Sequence, residues 1–398
     1  LALASTLAKN CFLEEAARRL QAEQAELLAA NAQDVATAVA LGQTPALVDR
    51  LRLTPERVAA MAAGLRAVAA LPDPIGQVVE GHVRPNGLEV RKVRVPLGVV
   101  LFIYESRPNV TVDAAGLAVK SGNAILLRGG SEAKNSNAVL AGILGQALET
   151  AALPSGAVQC ITQPGRELVG ELLQMNDLID LVIPRGGESL IRRVAAEAKM
   201  PVLKHYQGNC HLYVHAAADL DMAERLIINA KCQRPGTCNA LESLLVDAAV
   251  AAAFLPRIVA ALRNAGVEVR GCPRCRAVVP DLVPASETDF ATEYLDLIIS
   301  VAVVDGLDAA MRHVERYGSG HTEAIVTQDL SAARTFTTGV DAAAVIVNAS
   351  TRFHDGFELG LGAEIGISTD KFHARGPCGL VELTTTKYVV YGAGQVRG

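Results

Sequence analysis

Tryptophan is absent from this 398-residue chain, and aromatic residues of all kinds make up only 4% of it. A core of this size must therefore be built from Ala, Val, Leu and Gly, which suits closely spaced helix and sheet layers. No apolar run is long and uninterrupted enough to cross a bilayer. No block of basic residues is present and the net charge is −5, which excludes a dedicated nucleic-acid or anionic-membrane binder. Eight cysteines in so long a chain do not make a disulfide scaffold and point to a reducing cytoplasm. A single CxxC, Cys272-Pro-Arg-Cys275, has no second pair to complete a zinc site and is read as a loop with free thiols. Two nucleotide fingerprints are also missing. No Gly-x-Gly-x-x-Gly follows a strand, and Gly129-Gly130-Ser131 lacks the Lys-Ser/Thr of a Walker loop. The chain opens on Leu1 rather than Met, inside a helical pattern, which leaves room for a preceding segment.

What is present is regular alternation. Residues 12–41 and 55–70 carry helical apolar spacing. Gln77 to Val83 and Leu88 to Val95 alternate and are joined by Arg84-Pro85-Asn86-Gly87, a hairpin signal, with a bulge expected at Lys92. Lys387 to Tyr391 reads as a further strand beside it. An unpaired hairpin edge is a liability, so this element is expected to pair with another subunit. From Gly98 onward strands and helices alternate as in a parallel, doubly wound sheet. The strands run Val99–Tyr104, Ala124–Leu127, Val158–Thr162, Ile179–Ile183 and His211–Val214. The alternation resumes at Leu241, giving a second lobe with Cys238 near the joint, and ligands favour such clefts.

Cys238 is the most informative residue. It lies in Lys231-Cys-Gln-Arg-Pro-Gly-Thr-Cys238-Asn-Ala240, a polar break between two apolar stretches. Exposure and nearby cations favour the reactive thiolate, although loop cysteines also serve as small buried hydrophobes. Two βα turns, Arg128-Gly129-Gly130-Ser131-Glu132 and Pro184-Arg185-Gly186-Gly187-Glu188, can seat phosphates on helix N-termini or be ordinary capped turns. Asn109 follows the strand ending at Tyr104, where its amide can donate to an oxyanion or cap the next helix. Lys204 to His211 gathers two imidazoles, of which His205 is the one to watch. Cys210 and His211 are adjacent on a strand and point to opposite faces, so they form no dyad.

Several long segments, in order, resemble the γ-glutamyl phosphate reductase family of the aldehyde dehydrogenase superfamily. They are Glu105 to Ala115 (ESRPNVTVDAA), Ser121 to Ala133 (SGNAILLRGGSEA), Ile183 to Gly187 (IPRGG), Gln207 to Val214 (QGNCHLYV), Lys231 to Glu242 (KCQRPGTCNALE), Gly360 to Pro377 (GLGAEIGISTDKFHARGP) and the tail Thr385 to Arg397. The resemblance implies an α/β, aldehyde dehydrogenase-like fold of two doubly wound parallel-sheet lobes plus a protruding oligomerisation hairpin. It places the nucleophile on Cys238 and the oxyanion-stabilising amide on Asn109. It gives cofactor contacts to Arg128, Gly129, Gly130, Ser131 and Glu132, to Arg185, Gly186 and Gly187, and to Glu293 on the nicotinamide ribose. An arginine near the adenosine ribose leans toward NADPH. Hydrolytic aldehyde dehydrogenases carry a glutamate three residues before the glycine that is Gly208 here. This chain has His205 there, which fits an acyl-phosphate reductase that needs no water-activating base.

The implied domains are a cofactor domain of residues 1–72 and 98–228, a catalytic domain of 229–375, and oligomerisation segments 73–97 and 384–398. The implied reaction is NADPH-dependent reduction of L-glutamyl 5-phosphate to the 5-semialdehyde in cytoplasmic proline synthesis. A homo-oligomer is expected, as is compatibility with substrate transfer from the upstream glutamate kinase. Two alternatives remain open here: an NAD-dependent semialdehyde dehydrogenase running toward the acid, and a non-catalytic assembly domain. Arg107, Lys231, Arg234 and Arg375 are unranked cationic candidates for the substrate's carboxylate.

Overall fold

The computed structural model describes residues 1–163 and 165–397. The chain divides into two compact units, Leu1–Lys204 with Gly360–Gly366 and Pro377–Gly398, and His205–Leu359 with Ile367–Gly376. Among the described residues no helix is long and apolar enough to cross a membrane.

The first unit is built on a four-stranded parallel sheet in the order Val158–Cys160, Ala124–Gly129, Val99–Tyr104 and Leu181–Arg185. Val99–Tyr104 and Leu181–Arg185 are short apolar runs buried on both faces, as strands of a parallel sheet are. Helices Asn109–Lys120 and Lys134–Thr150 cross between them. Residues 12–41, read as one helical stretch, are two helices, Thr6–Ala22 and Gln24–Ala40, broken at Glu23. Leu1 precedes the first helix, whose N-cap is Ser5. The second helix supplies an anchor. Buried Asp34 accepts hydrogen bonds from Asn135 N at 3.1 Å, Ser136 N at 2.8 Å and Ser136 Oγ at 2.6 Å. A carboxylate from one helix thereby satisfies the free amides that open another.

The expected hairpin is present. Val78–Val83 pairs antiparallel with Glu89–Pro96, which pairs in turn with Thr384–Tyr391. The turn closes through Gly87 N to Arg84 O at 2.9 Å, with Gly87 at a positive φ of 86°. The bulge falls on the first strand, between Val78 and Glu80, facing the Lys92–Val93 step. Asn123 Nδ2 donates to Leu383 O at 2.8 Å and Arg94 donates to Thr384 Oγ1 at 3.1 Å, fixing the small sheet to its unit.

The second unit holds a seven-stranded parallel sheet. The order is Val283–Pro284, Glu268–Gly271, Ile298–Val304, Leu241–Asp247, Cys210–Val214, Thr322–Val326 and Ala344–Val347. Leu220–Cys232 and Ala248–Asn264 cover one face, and Gly306–Tyr317 and Leu330–Gly339 the other. The sequence-based boundary at 228/229 falls inside this unit. Cys210–Val214 hydrogen-bonds to Leu241–Asp247 and to Thr322–Val326, so residues 205–228 belong with the second unit. Conversely, residues 360–366 belong with the first, where Ile365 N donates to Cys378 O at 2.8 Å. The CxxC is also more than a loop. Cys272 caps the short helix Pro273–Val278, and both thiols are free.

Two imidazoles in the second unit are held neutral. Burial pushes His354 and His313 down to about 3. His354 is 1% exposed and its Nδ1 lies 2.7 Å from Thr322 Oγ1. A histidine depressed in the folded state takes up its proton first in the unfolded chain. Stability from this source is complete above the unfolded pKa of 6.5 and is lost as pH falls toward 3, by about 1.4 kcal/mol per unit for His354. Urea midpoints should therefore fall between pH 6.5 and 4.5, and His354→Gln should remove part of that fall. An unchanged pH slope in the variant would contradict this origin.

Candidate active site

Cys238 sits half-buried just past helix Leu220–Cys232, in a loop whose backbone is fixed from several sides. Thr237 Oγ1 donates to Arg234 O at 2.8 Å, and Ala240 N donates to Thr237 O at 3.0 Å. Asn239 Nδ2 donates to His354 O at 3.0 Å, while Asn239 O accepts from Thr351 Oγ1 at 2.7 Å. The Cys210 thiol donates to Cys238 O at 3.1 Å. Gly208 lies directly against this carbonyl. A Cβ placed on it would stand 1.8 Å from Cys238 O, so only glycine fits.

Behind the Cys238 loop, Lys231 and Glu242 form a fully buried ion pair at 2.6 Å. Burial raises Glu242 to about 7, against the pull of Lys231. The other Glu242 oxygen accepts from Leu295 N at 3.3 Å, and Leu295 has a left-handed φ of 55°. Tyr294 OH donates to Asp289 Oδ1 at 2.9 Å, and Arg270 binds the same oxygen at 2.7 Å. Glu293 therefore directly precedes two residues that these bonds hold in place. Its loop adjoins the Cys238 loop, since a Cβ on Gly236 would lie 3.8 Å from Leu295 O. Arg352, half-buried and bonded to Gln233 Oε1 at 2.8 Å, lies close enough to Arg234 and Cys238 to feel both. Burial and the Arg234 charge lower its pKa. Of the cationic candidates, Lys231 is consumed by Glu242, and Arg375 pairs with Asp341 at 2.6 Å.

The first unit brings together the other predicted residues at the C-terminal edge of its sheet. Leu127, Arg128, Gly129, Gly130 and Ser131 line a pocket, with Tyr104, Lys134 and Cys160 among the remaining walls. Arg128 folds back onto Gly129 O. Burial pushes the Cys160 thiol up to about 12, so it stays protonated. The Glu132 carboxylate packs over Gly130 and accepts from Ser106 N at 2.5 Å and Ser106 Oγ at 2.9 Å. Gly187 is the N-cap of helix Glu188–Glu197, and its amide donates to Glu105 Oε2 at 3.0 Å. Gly186 leaves space for that carboxylate, which a Cβ would meet at 2.4 Å. Arg185 ends the strand alongside. An anion already occupies this helix N-terminus, as a pyrophosphate oxygen would.

Asn109 is the first residue of its helix rather than the cap, which is Pro108. Its Nδ2 donates to Asp113 Oδ2 at 3.1 Å. Burial raises Asp113 to about 6, with the Asn109 bond pulling the other way. Sequence reasoning missed Asp113, Glu105, Lys134 and Arg352. The i,i+4 spacing of Asn109 and Asp113 on one helix was the available signal for the first.

Residues 8–272 match the aldehyde dehydrogenase family model. The gamma-glutamyl phosphate reductase of Moorella thermoacetica is 56% identical over 397 residues, covering 100% of this chain and 95% of its own. That of Rhodopirellula baltica is 56% identical over 390 residues, covering 98% and 90%. The crystal structure of gamma-glutamyl phosphate reductase from Thermotoga maritima is 50% identical and superposes with a TM-score of 0.98, covering 100% of this chain and 96% of its own. This chain belongs to the aldehyde dehydrogenase family and, within it, to the gamma-glutamyl phosphate reductases.

The Gly208 contact generates a test. Gly208→Ala must move the Cys238 carbonyl, because neither backbone atom has a flexible end to yield. A destabilisation of about 1–3 kcal/mol is expected in urea melts. A changed rate of Cys238 alkylation by iodoacetamide should accompany it. A variant with wild-type stability and alkylation would show that the close approach does not hold the nucleophile.

Proposed function

We propose that gamma-glutamyl phosphate reduction in this chain runs through a thioester on Cys238, with NADPH as the reductant. The observation that carries the reading is the half-exposed thiol on a backbone pinned by Gly208 and Asn239. Kinship with reductases of that name at 56% identity supports the substrate.

In this reading the Cys238 thiolate attacks the acyl carbonyl of L-glutamyl 5-phosphate. The Cys238 amide and the Asn109 side chain donate to the oxyanion, and Asp113 fixes the Asn109 amide by taking one of its hydrogens. Collapse expels phosphate and leaves the acyl group on sulfur. Bound NADPH supplies the hydride that takes the acyl group to the aldehyde level. Cys238 then leaves as thiolate, releasing L-glutamate 5-semialdehyde. Gly186 and Gly187 would receive the pyrophosphate, Glu105 giving way to it, and Glu293 would hold the nicotinamide ribose. Arg128 to Glu132 would border the adenosine ribose, with Lys134 as a cation for a 2′-phosphate. The carboxylate of hydrolytic aldehyde dehydrogenases is replaced by His205 at this position, which fits phosphate as the acyl acceptor. The exposed faces of Val83, Tyr388, Val390 and Tyr391 on the three-stranded sheet support its use in a homo-oligomer. Residues 1–72, 98–204 and 360–366 would form the cofactor domain, and 205–359 and 367–376 the catalytic domain.

The test is oxidation of the semialdehyde with NADP⁺ or NAD⁺, with and without inorganic phosphate. Phosphate-dependent turnover, faster with NADP⁺, is expected. Equal turnover without phosphate would indicate an ordinary dehydrogenase running to the acid. Cys238→Ala should lower turnover by more than about a thousandfold while leaving NADPH affinity within about twofold. Asn109→Ala should cost about 3 kcal/mol, a few hundredfold in rate. Near-normal kcat/KM in either variant would remove that residue from the chemistry.

A further inference from the structure

Three side chains in the second unit converge on one point. A ring nitrogen of His205, a ring nitrogen of His321 and the Cys238 sulfur all lie within 4.8 Å of one another. His321 is fully buried, whereas His205 and Cys238 are half-buried. We infer that these three groups form an inhibitory site for a thiophilic divalent cation, with Zn²⁺ the ion of choice, and that the metal masks the nucleophile.

The donor chemistry favours this ion. Two imidazoles and one thiolate are the borderline-soft set that zinc takes, and three protein ligands leave a fourth tetrahedral position for water. Ligand atoms around a zinc stand about 3.5 Å apart, given metal–nitrogen and metal–sulfur bonds of about 2.0 and 2.3 Å. Small side-chain rotations close the observed spacing to that value. The rings are held edge to face, with centroids 5.4 Å apart at 67°. Each imidazole has a hydrogen-bond partner at Nδ1, which leaves Nε2 as the atom to offer a metal. His205 Nδ1 lies 2.8 Å from Ile367 O, which fixes the proton there and leaves Nε2 with its lone pair. His321 Nδ1 lies 2.7 Å from Thr322 Oγ1, and Thr322 Oγ1 lies 2.7 Å from His354 Nδ1.

Binding replaces the Cys238 S–H bond with an S–Zn bond and releases one proton to solvent, with no change of oxidation state. The sulfur lone pair that would attack an acyl carbonyl is then engaged. The consequence for turnover rests on Cys238 being the nucleophile; the binding itself does not.

The experiment is titration of the metal-free full chain with Zn²⁺ alone. The readouts are competition against a chromophoric chelator and iodoacetamide labelling of Cys238 mapped by mass spectrometry. One ion per chain should bind and slow Cys238 labelling at least about tenfold, with full recovery after EDTA. His321→Gln and His205→Gln should each weaken binding about tenfold or more and abolish the protection. Cys272→Ser/Cys275→Ser, which removes the competing dithiol, should leave both intact. If His321→Gln fails to fold, judged by its circular dichroism, the half-buried His205→Gln carries the comparison. Zinc that does not protect Cys238, or that binds both histidine variants with wild-type affinity, would overturn the site. Neither readout uses turnover, so a failed phosphate-dependence assay would sink the proposed reaction without touching this result.

Discussion

The contact between Gly208 and the carbonyl of Cys238 is the constraint around which the Cys238 site is arranged. A backbone atom pressed against a backbone atom cannot adapt as a side chain does. The strand that follows Gly208 fixes one wall, and Asn239 ties the other to the carbonyls of Arg352 and His354. The thiol therefore emerges from a frame in which its neighbours have no freedom to drift. Positioning of this kind is worth far more to a covalent catalyst than to a binding module, because small displacements of a reacting atom cost large factors in rate.

The buried Lys231–Glu242 pair serves the same end by a costlier route. Taking both charges out of water exacts a penalty that their attraction only partly returns. What the pair provides is connection. Lys231 lies at the end of the helix before the Cys238 loop, Glu242 lies on the strand after it, and the second Glu242 oxygen accepts from the amide of Leu295, which is left-handed. The loop bearing Glu293 and the loop bearing Cys238 thus share one polar anchor. On the first unit, Asp34 and Asn109–Asp113 do comparable work at helix N-termini.

Much of this was legible in the residues. Local signals identified the Asn-Gly hairpin, the strand runs from Val99 to Tyr104 and from Leu241 to Val246, and the polar break holding Cys238, because each depends on neighbours in sequence. The domain boundary was not legible. Assignment of Cys210–Val214 to the second sheet depends on pairing with residues 31 to 32 and 112 positions away, which no local period encodes. The same holds for Glu105, whose carboxylate meets an amide 82 positions on, and for Arg352, which reaches Gln233 across 119. The CxxC was read as a loop because a six-residue helix capped by its own first cysteine leaves almost no periodic trace.

The central claim is that the acyl group passes through the Cys238 sulfur. Incubation of the protein with the semialdehyde and NADP⁺ in phosphate-free buffer, followed by acid quenching and peptide mapping, tests it most directly. The account predicts a glutamyl mass increment on the peptide containing Cys238 that disappears when phosphate is added before quenching. An increment on a different cysteine, or reduced cofactor accumulating with no increment on any peptide, would contradict it.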